Sequence, residues 1–179
     1  MACEALAHVG DGRAPFARGV IVDWYDGAVS GVATCAGSDT VYAFRLAAWD
    51  HDQHQRVFVL RSIPRTALTE LEAIFSPATG ATPAWLVASR FASEAERDEA
   101  WRRANAVLNR AGPIEYLVLT SDIAAAPAAA RPVAPGSDRD RIEAMLAEEP
   151  NEADGYAYSE QPFDVWLALF AAGGTPSSG

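Results

Sequence analysis

Two of the chain's three histidines, His51 and His54, lie in the heptapeptide WDHDQHQ (residues 49–55) with Asp50 and Asp52. Two imidazoles and a carboxylate form an adequate ligand set for zinc or non-haem iron. The spacing works against that use. Residues three apart face opposite sides of a strand, so only a curled loop would bring both rings together. No HExxH and no CxxC pair supplies further ligands. The competing reading of Asp50, His51, Asp52 and His54 is a solvated hairpin loop in which an aspartate closes an Asx-turn. Other nucleophile and cofactor signatures are absent from the sequence. No Ser sits in a G-x-S-x-G setting, no P-loop exists, and no G-x-G-x-x-G follows a strand. Cys35 reads as a buried or half-buried structural thiol and His8 as a surface residue. No cofactor is expected.

The elements that must position these residues begin with β structure. FARGVIVDWY (16–25), AVSGVATCA (28–36), TVYAFRLAAW (40–49) and QRVFVLRSI (55–63) are rich in β-branched and aromatic residues. Asp26-Gly27 is a strong hairpin signal, and Gly31 marks a bulge. The expectation is a four-stranded antiparallel meander, twisted or partly rolled. In such a meander the first and third turns emerge at one end, centred about 10 Å apart. Asp23, Asp26, Trp24 and Tyr25 then share a rim with WDHDQHQ.

Helical signals follow Pro64, with Leu68, Leu71, Ile74 and Phe75 forming a stripe. AWLVAS (84–89) reads as a short strand. Ser93 and Glu96 have the form of a capping box opening a helix over about 94–111, stopped by Gly112-Pro113. IEYLVLTS (114–121) reads as a further strand. The expected fold is therefore α+β: the meander, a helix, a strand–helix–strand unit and an acidic helical C-terminal extension. The expected boundaries are an N-terminal arm over 1–14, an α+β domain over 15–122, an Ala/Pro-rich linker over 123–137 and the extension over 138–179.

Charge distribution bounds the partners. The net charge is −10, and all 14 basic residues are Arg. Residues 1–64 carry 5 Arg against 7 acids, residues 65–137 carry 7 against 8, and residues 138–179 carry 2 against 9. No region offers the basic field that phosphate neutralisation requires, so nucleic acid is not expected as a partner. The apolar run from Val165 to Ala172 is far shorter than the roughly 20 residues of a membrane span. The N-terminus lacks the basic and apolar regions of a signal peptide, and two cysteines make no disulfide framework. A reduced, cytoplasmic setting is expected. The Arg-only basic set and 37 Ala point to a GC-rich bacterial genome.

The extension concentrates large apolar and acidic groups: Tyr156, Tyr158, Phe163, Trp166 and Phe170 with Glu148, Glu149, Glu152 and Asp154. Something must cover the apolar ones: the chain's own sheet is the first expectation, with another subunit or a different protein as the alternatives. With no catalytic motif, the leading expectation is a non-catalytic interaction or inhibitor-like protein. It would bind through these residues, the aromatic sheet rim, or both. The expected partner is a protein, a basic one being easiest to reconcile with the tail, or a second copy of the chain. A metal-binding protein or metal-dependent hydrolase around His51 and His54 is the alternative, and a structural homo-oligomer subunit is the third reading.

Tyr25-Asp26-Gly27, Ser30-Gly31, Trp49-Asp50 and Arg56-Val57-Phe58, with the Phe91–Pro113 stretch, resemble a group of small uncharacterised bacterial proteins. The resemblance spans about residues 20–121. It implies that the β segment and the long helix belong together, with the acidic tail an addition, and it implies no activity.

Overall fold

The computed structural model describes residues 16–76, 81–88, 91–125, 128–147 and 161–172. The N-terminal arm falls outside them, as do residues 148–160. The elements in chain order are β1 (Phe16–Trp24), β2 (Ala28–Cys35), β3 (Val41–Asp50), β4 (Gln55–Ile63), α1 (Thr66–Phe75), β5 (Trp85–Val87), α2 (Glu94–Leu108), β6 (Ile114–Thr120), β7 (Ala129–Pro132), α3 (Ser137–Ala147) and α4 (Phe163–Ala172).

The strands form one seven-stranded sheet in the order β5-β1-β2-β3-β4-β6-β7. The antiparallel meander β1–β4 is its centre, as the alternating segments and the Asp26-Gly27 turn predict. The sheet is larger than that meander and is mixed, because β5 joins β1 in parallel while every other neighbour is antiparallel. Residues 129–132, within the Ala/Pro-rich stretch expected to be a linker, pair with β6 as an edge strand. An edge position suits them, since Pro132 has no N–H to give to a further strand.

The strand–helix–strand unit straddles the meander. β5 lies at one edge and β6 beyond β4, so α2 has to cross five strand spacings, about 24 Å. Its 15 residues span about 22 Å. The predicted start is present: Ser93 Oγ accepts from the Glu96 N–H at 3.1 Å. The Glu96 carboxylate reaches one residue further back than the usual capping box, accepting from the Ala92 N–H at 2.8 Å.

All four helices among the described residues cover one face of the sheet, in two pairs. Ala67, Leu68 and Leu71 of α1 and Ala104 and Val107 of α2 bury Val20, Val22, Val32, Val41 and Ile63. Ile142, Met145 and Leu146 of α3 and Trp166 and Leu169 of α4 bury Ala47, Ala48, Val57, Val59, Ile114 and Leu117. The opposite face is aromatic, with Phe16, Tyr42, Phe44, Phe58 and Tyr116 in its core. Tyr42 and Tyr116 come from strands separated by β4, yet their rings meet edge-to-face at 5.8 Å. Both sheet edges, through Trp85, Val87 and Ala130, add to the same cluster, so the sheet curls toward this face.

Gly31 earns its place by close approach rather than by a bulge of its own. A Cβ there would lie 2.0 Å from the Val20 carbonyl oxygen. The register shift beside it is in β1, between Ile21 and Asp23, and another follows between Asp23 and Trp24, where β2 carries the extra residue. Cys35 is 2% exposed and disulfide-bonded, which corrects its reading as a thiol. Among the described residues no helix is long and apolar enough to cross a membrane.

Candidate functional site

Two places on the molecule gather polar and aromatic groups. The first is the rim where the β1–β2 and β3–β4 turns emerge together. Asp26 and Gly27 take positive φ values of 46° and 137°, the backbone that an Asp-Gly turn supplies. Arg56 of β4 fixes this turn from below, donating to the carbonyl oxygens of Ala28 and Asp26. Gly27 also lies against the Arg56 guanidinium, and at φ 137° a side chain there would be strained as well as crowded. The same guanidinium lies over Trp49 at 4.1 Å from the ring centroid, a cation–π contact. Trp49 also stacks with His51 at 3.6 Å and meets Tyr25 edge-on at 6.2 Å. Trp24 is 50% exposed and Tyr25 41% exposed, beside this cluster.

The rim uses the candidate metal ligands locally. Asp50 Oδ1 accepts from the backbone N–H groups of Asp52 and Gln53 at 3.0 and 3.1 Å, an Asx-type turn. His51 lies flat on Trp49, and His54 sits at φ 52° in the turn itself. Among the described residues no three His, Cys, Asp or Glu side chains are placed to hold a metal ion. Asp23 leaves the rim altogether. The bulge after Ile21 puts it in register with Ser30, on the helix-bearing side.

The second place is a cleft of about 320 Å³ on that helix-bearing side. Its floor is a row across three strands, Asp23 of β1, Ser30 of β2 and Arg45 of β3, in mutual register. Asn105 and Asn109, one turn apart near the end of α2, form one wall, and Arg61 of β4 borders the other side. Arg61 is bound to the Glu143 carboxylate of α3 at 2.7 Å and to the Gly112 carbonyl at 3.1 Å. Arg45 is half-buried and makes neither a hydrogen bond nor an ion pair to any described residue. Burial, and then the neighbouring Arg61 charge, lowers its pKa. Burial raises the pKa of Asp23, partly offset by a hydrogen bond from the Trp24 backbone.

The C-terminal residues expected to meet a partner divide. Trp166 is fully buried in the chain's own core, with Phe163 and Phe170 packed partly buried against the same cluster. Tyr156, Tyr158, Glu148, Glu149, Glu152 and Asp154 lie outside the described residues. Sequence reasoning passed over the cleft, although one signal was present. Arg45 interrupts the small residues Ala43 and Ala47 on one side of β3, where a charge has no obvious cover. Comparison with protein-family models, curated proteins and solved structures finds no match.

Proposed function

We propose that the chain is a non-catalytic interaction protein whose aromatic rim receives a basic segment of a protein partner. The observation that carries this is the exposure of Trp24 and Tyr25 side by side, at 50% and 41%. Large aromatic groups held in solvent are costly, and Trp and Tyr dominate the residues that carry interface energy. Asp26, Asp50 and Asp52 lie in the two turns of the same rim. Aromatic faces bordered by carboxylates suit arginine or lysine side chains, by cation–π and charge attraction together. The rim is also held in advance of binding: Arg56 donates to the first turn and lies over Trp49, on which His51 of the second turn stacks, so little ordering is required of it. The chain's net charge of −10, concentrated at Glu148, Glu149, Glu152 and Asp154 and their neighbours, draws a basic partner from a distance.

The test is fluorescence anisotropy of labelled arginine-rich and glutamate-rich decapeptides against the full chain and the Trp24→Ala/Tyr25→Ala variant. The arginine-rich peptide is expected to bind and to weaken about tenfold in the variant. Equal binding to wild type and variant would sink the rim as the site. Binding of the acidic peptide with similar affinity would sink the basic partner.

A further inference from the structure

We infer that the cleft between the two helix pairs is a binding site for a small organic acid that carries a hydrogen-bond-donating amine or hydroxyl group, with Arg45 holding the carboxylate. The argument begins with what Arg45 lacks. A guanidinium presents five N–H donors in a planar fork, and those of half-buried Arg45 have no acceptor among the described residues and open onto the cleft. The other cation of the cleft, Arg61, is satisfied by Glu143 and the Gly112 carbonyl. Arg45 lies in the same cleft with its fork unfilled and a like charge beside it. A carboxylate accepts such a fork in a bidentate manner, which answers both the missing acceptors and the repulsion.

The rest of the cleft narrows the ligand class. Asp23 and Arg45 are on strands separated by β2, so their Cα atoms are about 10 Å apart in the row. Among the described residues Asp23 makes no ion pair. The two side chains therefore stand at opposite ends of one floor without neutralising each other. A single molecule lying along the floor meets an anion receptor at one end and an anion at the other. Ser30 lies between, and Asn105 and Asn109 line the wall, their side-chain amides without a hydrogen bond to any described residue. The formal charges of Arg45, Arg61, Asp23 and Glu143 cancel, so the cleft suits a molecule of little net charge. A phosphate dianion would be left partly uncompensated. About 320 Å³ lies at the small end of ligand sites, room for an amino acid or a hydroxy acid of similar size. The apolar lining, Val29, Ala43, Val59 and Leu108, accommodates the carbon skeleton.

Isothermal titration calorimetry of the full chain with acetate, lactate, serine, glutamine and inorganic phosphate tests this. At least one of lactate, serine and glutamine is expected to bind, more tightly than acetate, which has no donor for Asp23. Arg45→Gln is expected to weaken that binding by about tenfold or more. Asn105→Trp changes an exposed residue and fills the cleft from its wall, and is expected to abolish binding with the near-ultraviolet circular dichroism of the fold retained. Three results would overturn the inference: no acid of the panel binds the wild type at millimolar concentration, the bound acid is indifferent to Arg45→Gln and Asn105→Trp, or phosphate binds as tightly as the best acid.

Discussion

The two helix pairs cover one face of one sheet, yet they come from segments of opposite appearance. α1 and α2 arise where charge is nearly balanced, and α3 and α4 flank the most acidic stretch of the chain. In the fold they do the same work. Leu71 of α1 and Trp166 of α4 are both fully buried, one over each half of the sheet. The acidity of a segment reports on its solvent side and is silent about its buried side. Each pair is also held to the sheet by an ion pair. α1 is tied to β1 by the ion pair of Arg18 with a Glu72 carboxylate at 2.8 Å, and α3 to β4 by Arg61 and Glu143. Between the two halves lies the cleft, at a seam where neither pair fully covers the strands.

The most severe way to break the equivalence is to delete one half. A chain ending at residue 136 lacks α3 and α4 and uncovers Ala47, Ala48, Val57, Val59, Ile114 and Leu117. It is expected to lose cooperative thermal unfolding in calorimetry. An unchanged transition would make the second pair an appendage after all. Single side chains sharpen the comparison. Trp166→Ala is expected to cost about 3–5 kcal/mol and Leu71→Ala about 2–5 kcal/mol, from urea unfolding. The two halves are one cooperative unit if both variants keep the wild-type denaturant slope. Arg61→Ala releases α3 from β4 and from the Gly112 carbonyl. A loss of about 1 kcal/mol is expected, because the pair is only partly buried.

The smallest effect concerns the seam. Burial holds the Asp23 carboxyl above its ordinary value of 3.8. The folded chain therefore binds that proton more tightly than the unfolded chain does, and the ionised side chain opposes folding above its raised pKa. The opposition fades as the pH falls through the folded value and is gone below the ordinary one. Asp23→Asn is expected to raise Tm slightly near neutral pH, with the difference closing below pH 3.8. A gain that persists at low pH would assign the effect to packing rather than charge.

The meander and its rim were legible because their signals are local. Alternating β-branched residues and Asp-Gly at 26–27 specify neighbouring strands, and the strand count between turns places Tyr25 beside Trp49. The positions of β5 and β6 were not legible, since a short apolar strand says nothing about which edge it joins. β7 was hidden by its composition, Ala-Ala-Arg-Pro, which pairs through the backbone alone. The cleft was hidden by one bulge. Unbroken alternation from Ile21 puts Asp23 with Ile21, whereas the shifted register puts it with Ser30 and Arg45.

The parallel pairing at the sheet edge bears on the order of assembly. β2, β3 and β4 each join a strand adjacent in sequence and close short loops. β5 joins β1 across the whole meander, for three residue pairs, where β6 closes a loop of comparable length for six. Loop entropy opposes such a contact before it is formed, and distant pairings arrive late. β5 is thus expected to join the sheet late and to detach early. The amide protons of Gly19 and Ala88, which donate to the Ala84 and Ile21 carbonyls at 2.9 Å, are expected to exchange with solvent well ahead of those in the central strands.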